Sequence, residues 1–217
     1  MNFNPFAENK IPSVSMFAKE KKKQIQATAE AVEDLEEKYR TEKYFGIEMN
    51  NETLAFFKEL VGQVGERRVL GIIENVHTQF DEVGGLTKFD CSRTQITSLP
   101  KLPTGLMSLE CQHTQITALP ELPAGLKKLN CTGTKITSLP ELPDGLTELI
   151  CGNTQITSLP ELPAGLKDLY CSSTMITSLP ELPAGLEGLT LIVTPISKKS
   201  VLIDELKEKH PTLQIFI

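Results

Sequence analysis

The sequence predicts an α/β-type repeat solenoid with short parallel strands, an extended proline-rich convex side and a helical cap at its N-terminal end. Three observations carry this. The five cysteines, Cys91, Cys111, Cys131, Cys151 and Cys171, follow one another at intervals of twenty residues. Everything around them repeats at the same interval, reading GLxxLxCxxTxITSLPxLPx from Gly85 to Ala184. The chain before Gly85 lacks this period and is instead charged and helix-favouring. Fixed self-similarity of this length is the mark of stacked structural units, so the cysteines define one column of an array.

Composition narrows the function classes. The 217 residues suffice for one or two domains with a sizeable core. The chain holds 22 basic and 28 acidic residues, a formal charge of −6. Divided after Gly84, the balance is 11 against 15 and then 11 against 13. Neither part is basic, which argues against generic nucleic-acid binding. No stretch reaches the roughly 20 apolar residues of a membrane span, and the N-terminus lacks the basic start and apolar core of a Sec-type signal. An odd number of cysteines cannot pair completely, which fits a reducing compartment.

Residues 1–15 are expected to be disordered and 16–84 to form a helical capping region. Ile25, Thr28, Val32, Leu35 and Tyr39 make a narrow amphipathic seam within Phe17–Arg40. Its structural role is to pack on the repeats; self-association through this helix is the functional alternative, although three heptad a positions are few for a coiled coil. The Lys19–Lys23 run reads as a solvated face. Asn50 or Asn51 can cap a second helix, with Leu54, Phe57, Leu60, Val61 and Val64 on one side. After Gly65, the residues Val69, Leu70, Ile72, Ile73, Val76 and Phe80 suggest a third helix.

The repeats, 85–196, resolve into columns. LxxLxCxxTxI has the spacing of the leucine-rich repeat pattern. Leu109 and Cys111, two apart on a strand, should both face the core. In ITSLPELPAG two prolines fix φ and remove two N–H groups, which favours an extended convex side closed by Leu99, Leu102 and their equivalents. Gly105, Gly125, Gly145, Gly165 and Gly185 are expected to take turn conformations that a side chain would hinder.

The motif LPELPxGLxxLxCxxTxIT resembles the twenty-residue leucine-rich repeats of bacterial effectors, among them IpaH-type ubiquitin ligases, YopM-like proteins and Legionella effectors. The likeness covers about 85–196, and helices before the repeats are similar to that group as well. Cys stands where those repeats usually carry an aliphatic residue, and Thr replaces their ladder Asn. No C-x-D motif of the ligase members occurs in the sequence. The resemblance therefore implies a binding-only effector, secreted from the bacterial cytoplasm by a non-Sec route to act on a host-cell protein. An intracellular bacterial scaffold or adaptor is the alternative.

Candidate chemistry is sparse. The thiol column could be a metal or redox array, but zinc wants four ligands converging on one point and a straight ladder does not converge. Buried Cys behaves as a small hydrophobe, and Leu191 fills the same column in a sixth, degenerate repeat, so packing is the preferred reading. The threonines from Thr94 to Thr194 should satisfy backbone groups at the turn after each strand. His77, His113 and His210 form no set with a nucleophile, and no phosphate loop or metal spacing is present. The sequence thus points to no enzyme and no cofactor.

Partner choice should instead be written in the columns that vary on the concave face. The candidates are Lys88, Asp90 and Arg93, then Glu110, Gln112 and His113. Lys128 and Asn130 follow, then Glu148, Ile150 and Asn153, then Asp168 and Tyr170. Tyr170 beside Ile150 is the most interface-like pair, since aromatic anchors dominate hot spots. Drift on an unconstrained solvated face is the bland alternative. Glu121, Glu141, Glu161 and Glu181 form an acidic stripe on the opposite side, expected to keep it soluble. Residues 197–217 should cap the far end, with a Ser197–Lys209 helix turning Val201, Leu202 and Leu206 inward, then a strand with Leu213, Ile215 and Ile217. Asp204, Glu205 and Glu208 before that apolar end also resemble Legionella-type secretion signals.

Overall fold

On a strand, side chains alternate between faces, so the Leu-x-Cys spacing buries both residues or neither. Both are buried in every repeat: Leu109 and Cys111, Leu129 and Cys131, Leu149 and Cys151, Leu169 and Cys171 all lie in the core. The computed structural model describes residues 49–73 and 77–217. Among them, strands β1 (Gln79–Phe80), β2 (Leu86–Asp90), β3 (Ser108–Glu110), β4 (Lys128–Asn130), β5 (Glu148–Ile150), β6 (Asp168–Tyr170), β7 (Gly188–Thr190) and β8 (Gln214–Phe216) form one sheet in sequence order. From β2 to β7 the pairing is parallel and in register at an offset of twenty, for example Leu109 with Leu129 and Leu129 with Leu149. The architecture is a leucine-rich-repeat solenoid.

The core is a stack of identical layers. Leu106, Leu109, Cys111, Ile116 and their equivalents are almost wholly excluded from solvent, and Leu102, Leu122, Leu142, Leu162 and Leu182 close the layer from the proline-rich side. Between layers the backbone ladder continues past the strands, with Cys111 N donating to Asn130 O (2.8 Å) and Gln115 N donating to Ile96 O (3.0 Å). The threonine hydroxyls bend back to donate to the carbonyl of the residue three before, from Thr94 to Cys91 O (2.6 Å) through Thr194 to Leu191 O (2.6 Å). That bond satisfies a buried carbonyl at the turn.

The proline-rich turns form at the expected glycines, but not with left-handed backbone. Leu106 N donates to Pro103 O (3.1 Å), closing a tight turn around Thr104 and Gly105. None of Gly105, Gly125, Gly145, Gly165 or Gly185 has positive φ. The left-handed position lies elsewhere, at Arg93, His113, Gly133, Asn153, Ser173 and Val193, directly after each strand. The chain reverses there, and Gly133 and Asn153 are the residue types that suit such backbone.

At the N-terminal end, α1 (Asn51–Val64) is capped by Asn50, whose side chain accepts from Thr53 N (2.9 Å). It buries Leu54, Phe56, Phe57, Leu60 and Val61. Phe56 meets Phe89 of β2 edge-on at 4.9 Å. Glu52 accepts from both the backbone N–H and the hydroxyl of Thr104, fastening the helix to the first repeat. The next helix, α2 (Glu66–Ile73), buries Val69, Ile72 and Ile73. Phe80 is not on it but in β1, which pairs antiparallel with β2. The hairpin turn explains the change: Asp81 Oδ1 accepts from Val83 N and Gly85 N, while Gly84 supplies a φ of 73°. The region preceding the repeats therefore ends in a strand. The expectations for 1–15, the Lys19–Lys23 run, the Phe17–Arg40 seam and Val76 concern positions outside the described residues.

At the other end, a 3-10 turn (Ile196–Lys198) leads into α3 (Ser200–Lys209). Ile203 is its buried residue, with Leu202 and Leu206 partly covered, whereas Val201 is exposed rather than inward. Ile203 and Leu206 share a face three apart, and Val201 projects from the opposite one. The chain then returns to the sheet, and β8 pairs parallel with β7, Leu189 opposite Ile215.

Candidate functional site

The residues flanking each buried leucine form two outward columns on the sheet. One runs Lys88, Ser108, Lys128, Glu148, Asp168, Gly188, Gln214 and the other Asp90, Glu110, Asn130, Ile150, Tyr170, Thr190, Phe216. Ser92, Gln112, Thr132, Gly152, Ser172 and Ile192 follow just beyond the strands.

The anticipated residues do not all behave alike. Asp90 is buried, 7% exposed, and is withdrawn from the surface. Its carboxylate accepts from the backbone N–H and hydroxyl of Ser92, and Thr78 of the unforeseen hairpin covers its backbone. Asn130 is half-buried, and its side-chain oxygen accepts from Thr132 N (3.2 Å). Arg93, His113 and Asn153 are exposed on the left-handed turn. The His113 ring lies over Gly133, where a Cβ would come 2.6 Å from its Nδ1. Lys128 and Glu148 pair with each other across adjacent strands at 2.8 Å, and that carboxylate holds the Lys128 ammonium above its ordinary pKa. Lys88, Glu110, Gln112, Ile150 and Asp168 are half-buried. Gln112 Oε1 and Thr132 Oγ1 are buried on this face without a hydrogen-bond partner among the described residues.

Toward the C-terminal end the face turns apolar. Tyr170, Ile192 and Phe216 are exposed by 38%, 45% and 52%. A groove of about 560 Å³ runs between them, lined also by Asp168, Glu187, Gly188, Thr190 and Gln214. The Asp168 charge, then partial burial, then the Glu148 charge and a hydrogen bond to Asp168 raise the pKa of the Tyr170 phenol, so two carboxylates bear on this end of the groove. Gly188, Thr190 and Ile192 follow from extending the columns by one more period. Phe216 does not, because a non-repeating helix separates it from them.

The thiols are unsuited to metal or redox work. All five are free and buried. Burial, with Glu110 adding, pushes Cys111 up to about 12, and burial alone does the same for Cys171. Burial likewise raises Cys91, Cys131 and Cys151 well above the ordinary thiol value. Metal ligation and nucleophilic attack need the thiolate, which these surroundings disfavour. A larger groove of about 840 Å³ follows the proline-rich side past Glu141, Glu161 and Glu181 to Lys209 and Pro211. Its walls repeat the ELPxGL framework, varying between layers only at Asp144, Ala164 and Ala184. Among the described residues no helix is long and apolar enough to cross a membrane.

No family model matches the chain, and no curated protein does. Among solved structures it is similar to YopM from Yersinia enterocolitica WA-314, at 34% identity over 51% of this chain with a TM-score of 0.50. The match spans 25% of the length of that protein. A Shigella effector leucine-rich-repeat domain shares the fold, with a TM-score of 0.57 and 20% identity over 77% of this chain and 97% of that one. The repeat domain is thus similar to those of bacterial effectors, a fold whose extended concave surface is used for protein interaction.

Proposed function

We propose that the chain is a non-enzymatic recognition module that binds a protein partner through its concave face and acts as a bacterial effector in a host cell. The observation that carries this is the contrast between columns. The inward positions are nearly constant, while Ser108/Glu110, Lys128/Asn130, Glu148/Ile150 and Asp168/Tyr170 differ at every step. A fixed scaffold presenting a varied surface is the arrangement expected of a binding module. The similarity to a Yersinia effector supports action in a host cell. Within the face, Ile150 and Tyr170 are the apolar anchors; Lys88, Glu110, Gln112, Lys128, Glu148 and Asp168 supply the polar surroundings, with Arg93, His113 and Asn153 along the rim.

The test is affinity capture from host-cell lysate by the wild-type chain and by Tyr170→Ala combined with Ile150→Asp. The pair should leave the melting temperature of the repeats within a few degrees and abolish capture of the partner. Undiminished capture by a folded double variant would show that this surface is not the one used.

A further inference from the structure

We infer that the notch over Gly188, between Tyr170 and Phe216, is a subsite for an arginine side chain of the bound protein; the inference rests on the concave face being the recognition surface. Three features of the groove converge on that chemistry. Its first feature is an unpaired charge. Glu148 is bound to Lys128 at 2.8 Å and Glu187 to Lys167 at 2.9 Å. Asp168 has no ion-pair partner within 4 Å among the described residues, although it lines the groove; the Tyr170 phenol hydrogen-bonds to it, and Lys128 feels its charge only at longer range.

The second feature is space. Gly188 occupies the rung beside Asp168, and a Cβ there would come 2.7 Å from Asp168 Oδ1. Only the absence of a side chain leaves the carboxylate room to lean over the next strand. The third is a pair of rings. Tyr170 is in register with Thr190, and Thr190 with Phe216, so the rings stand two strands apart with a short residue between them. At one strand spacing per step that separation is about 9–10 Å, wide enough for a planar group to enter and lie against a ring.

A guanidinium suits these features better than an ammonium. It is flat, stacks on aromatic faces, forks onto a carboxylate and is more weakly hydrated. The Gln214 side-chain oxygen and the Thr190 hydroxyl offer further acceptors at the groove wall. The two carboxylate charges that help raise the Tyr170 phenol act in the same sense.

The probe is N-acetyl-arginine amide, titrated into the full ¹⁵N-labelled chain and followed by amide chemical shifts. N-acetyl-citrulline amide, its neutral isostere, is the control. Saturable shifts are expected at Gly188, Thr190 and Phe216 with the arginine compound, and about tenfold weaker binding with citrulline or with Asp168→Asn. Gly188→Ala, which displaces the carboxylate, should weaken binding without unfolding the chain. Absent or scattered shifts, or equal binding by citrulline or by Asp168→Asn, would overturn the subsite. Loss of capture by the Tyr170/Ile150 variant together with no arginine response would leave the surface standing and remove the subsite. Localised, Asp168-dependent binding with no capture of any host protein would establish the subsite and remove the host-partner reading.

Discussion

The two faces of the same short strands obey different rules. From β3 to β7 the middle residue is leucine each time, while its neighbours change from Ser and Glu to Lys and Asn, Glu and Ile, Asp and Tyr, and Gly and Thr. Inside, each layer must match the volume of the layers above and below it, and close packing tolerates little change. Outside, the backbone ladder is complete without the side chains, so residue choice is free to serve recognition. The variety is not all recognition, however. Asp90 and Asn130 cap local turns, and the Arg93–Val193 column sits where the chain must turn left-handed.

The contrast can be pressed hardest through pH, because the inner column is ionisable. An exposed thiol titrates near 8.5 in the unfolded chain, whereas folding pushes Cys111 and Cys171 up to about 12 and raises the other three as well. Above the unfolded value the unfolded state loses protons that the folded state keeps. The stabilisation is therefore complete below about pH 8.5 and declines toward pH 12, by about 1.4 kcal/mol per pH unit for each thiol. Urea midpoints at pH 7, 9 and 10.5 should fall accordingly, and a Cys111→Val, Cys171→Val variant should fall less. Equal slopes for the two proteins would place these thiols in contact with water.

Single substitutions sharpen the same division. Leu149→Ala removes a fully buried side chain and should cost about 2–5 kcal/mol in urea unfolding. Tyr170→Ala, one strand along and facing outward, should stay within about 0.5 kcal/mol. A large loss at Tyr170 would mean that the outer columns also hold the fold together.

The turn column provides an effect far smaller than the core's and, at one position, of opposite sign. Val193 is β-branched at a φ of 57°, and Val193→Gly should stabilise by about 1 kcal/mol. Gly133→Ala should destabilise, since its φ is 67° and His113 occupies the space above it. Stabilisation in the second case and none in the first would show that backbone conformation does not select residues here.

Much of this was legible in the sequence because burial on a strand has a period of two and the repeat a period of twenty. Leu, Cys and Ile columns had to be inside once one of them was, and the threonine column followed at the turn. What stayed hidden left no mark in the pattern of burial. A two-residue strand such as Gln79–Phe80 leaves no pattern, so neither Phe80's place nor the covering of Asp90 could be read. The left-handed column was signalled clearly only by Gly133 and Asn153; Ser173 and His113 suit such backbone more weakly, and Arg93 and Val193 are not turn residues by type. Phe216 reaches the groove only because β8 rejoins the sheet after α3.

Every outward assignment depends on the cysteines facing inward, since a slip of one residue would exchange the two faces. Counting thiols with a water-soluble disulfide reagent at pH 7.5, before and after denaturation, tests this directly. The native chain should react at none of its five cysteines within the time that the denatured chain reacts at all five. Rapid reaction of the repeat thiols in the folded protein would contradict the register and, with it, the assignment of Tyr170, Asp168 and their neighbours to the binding face.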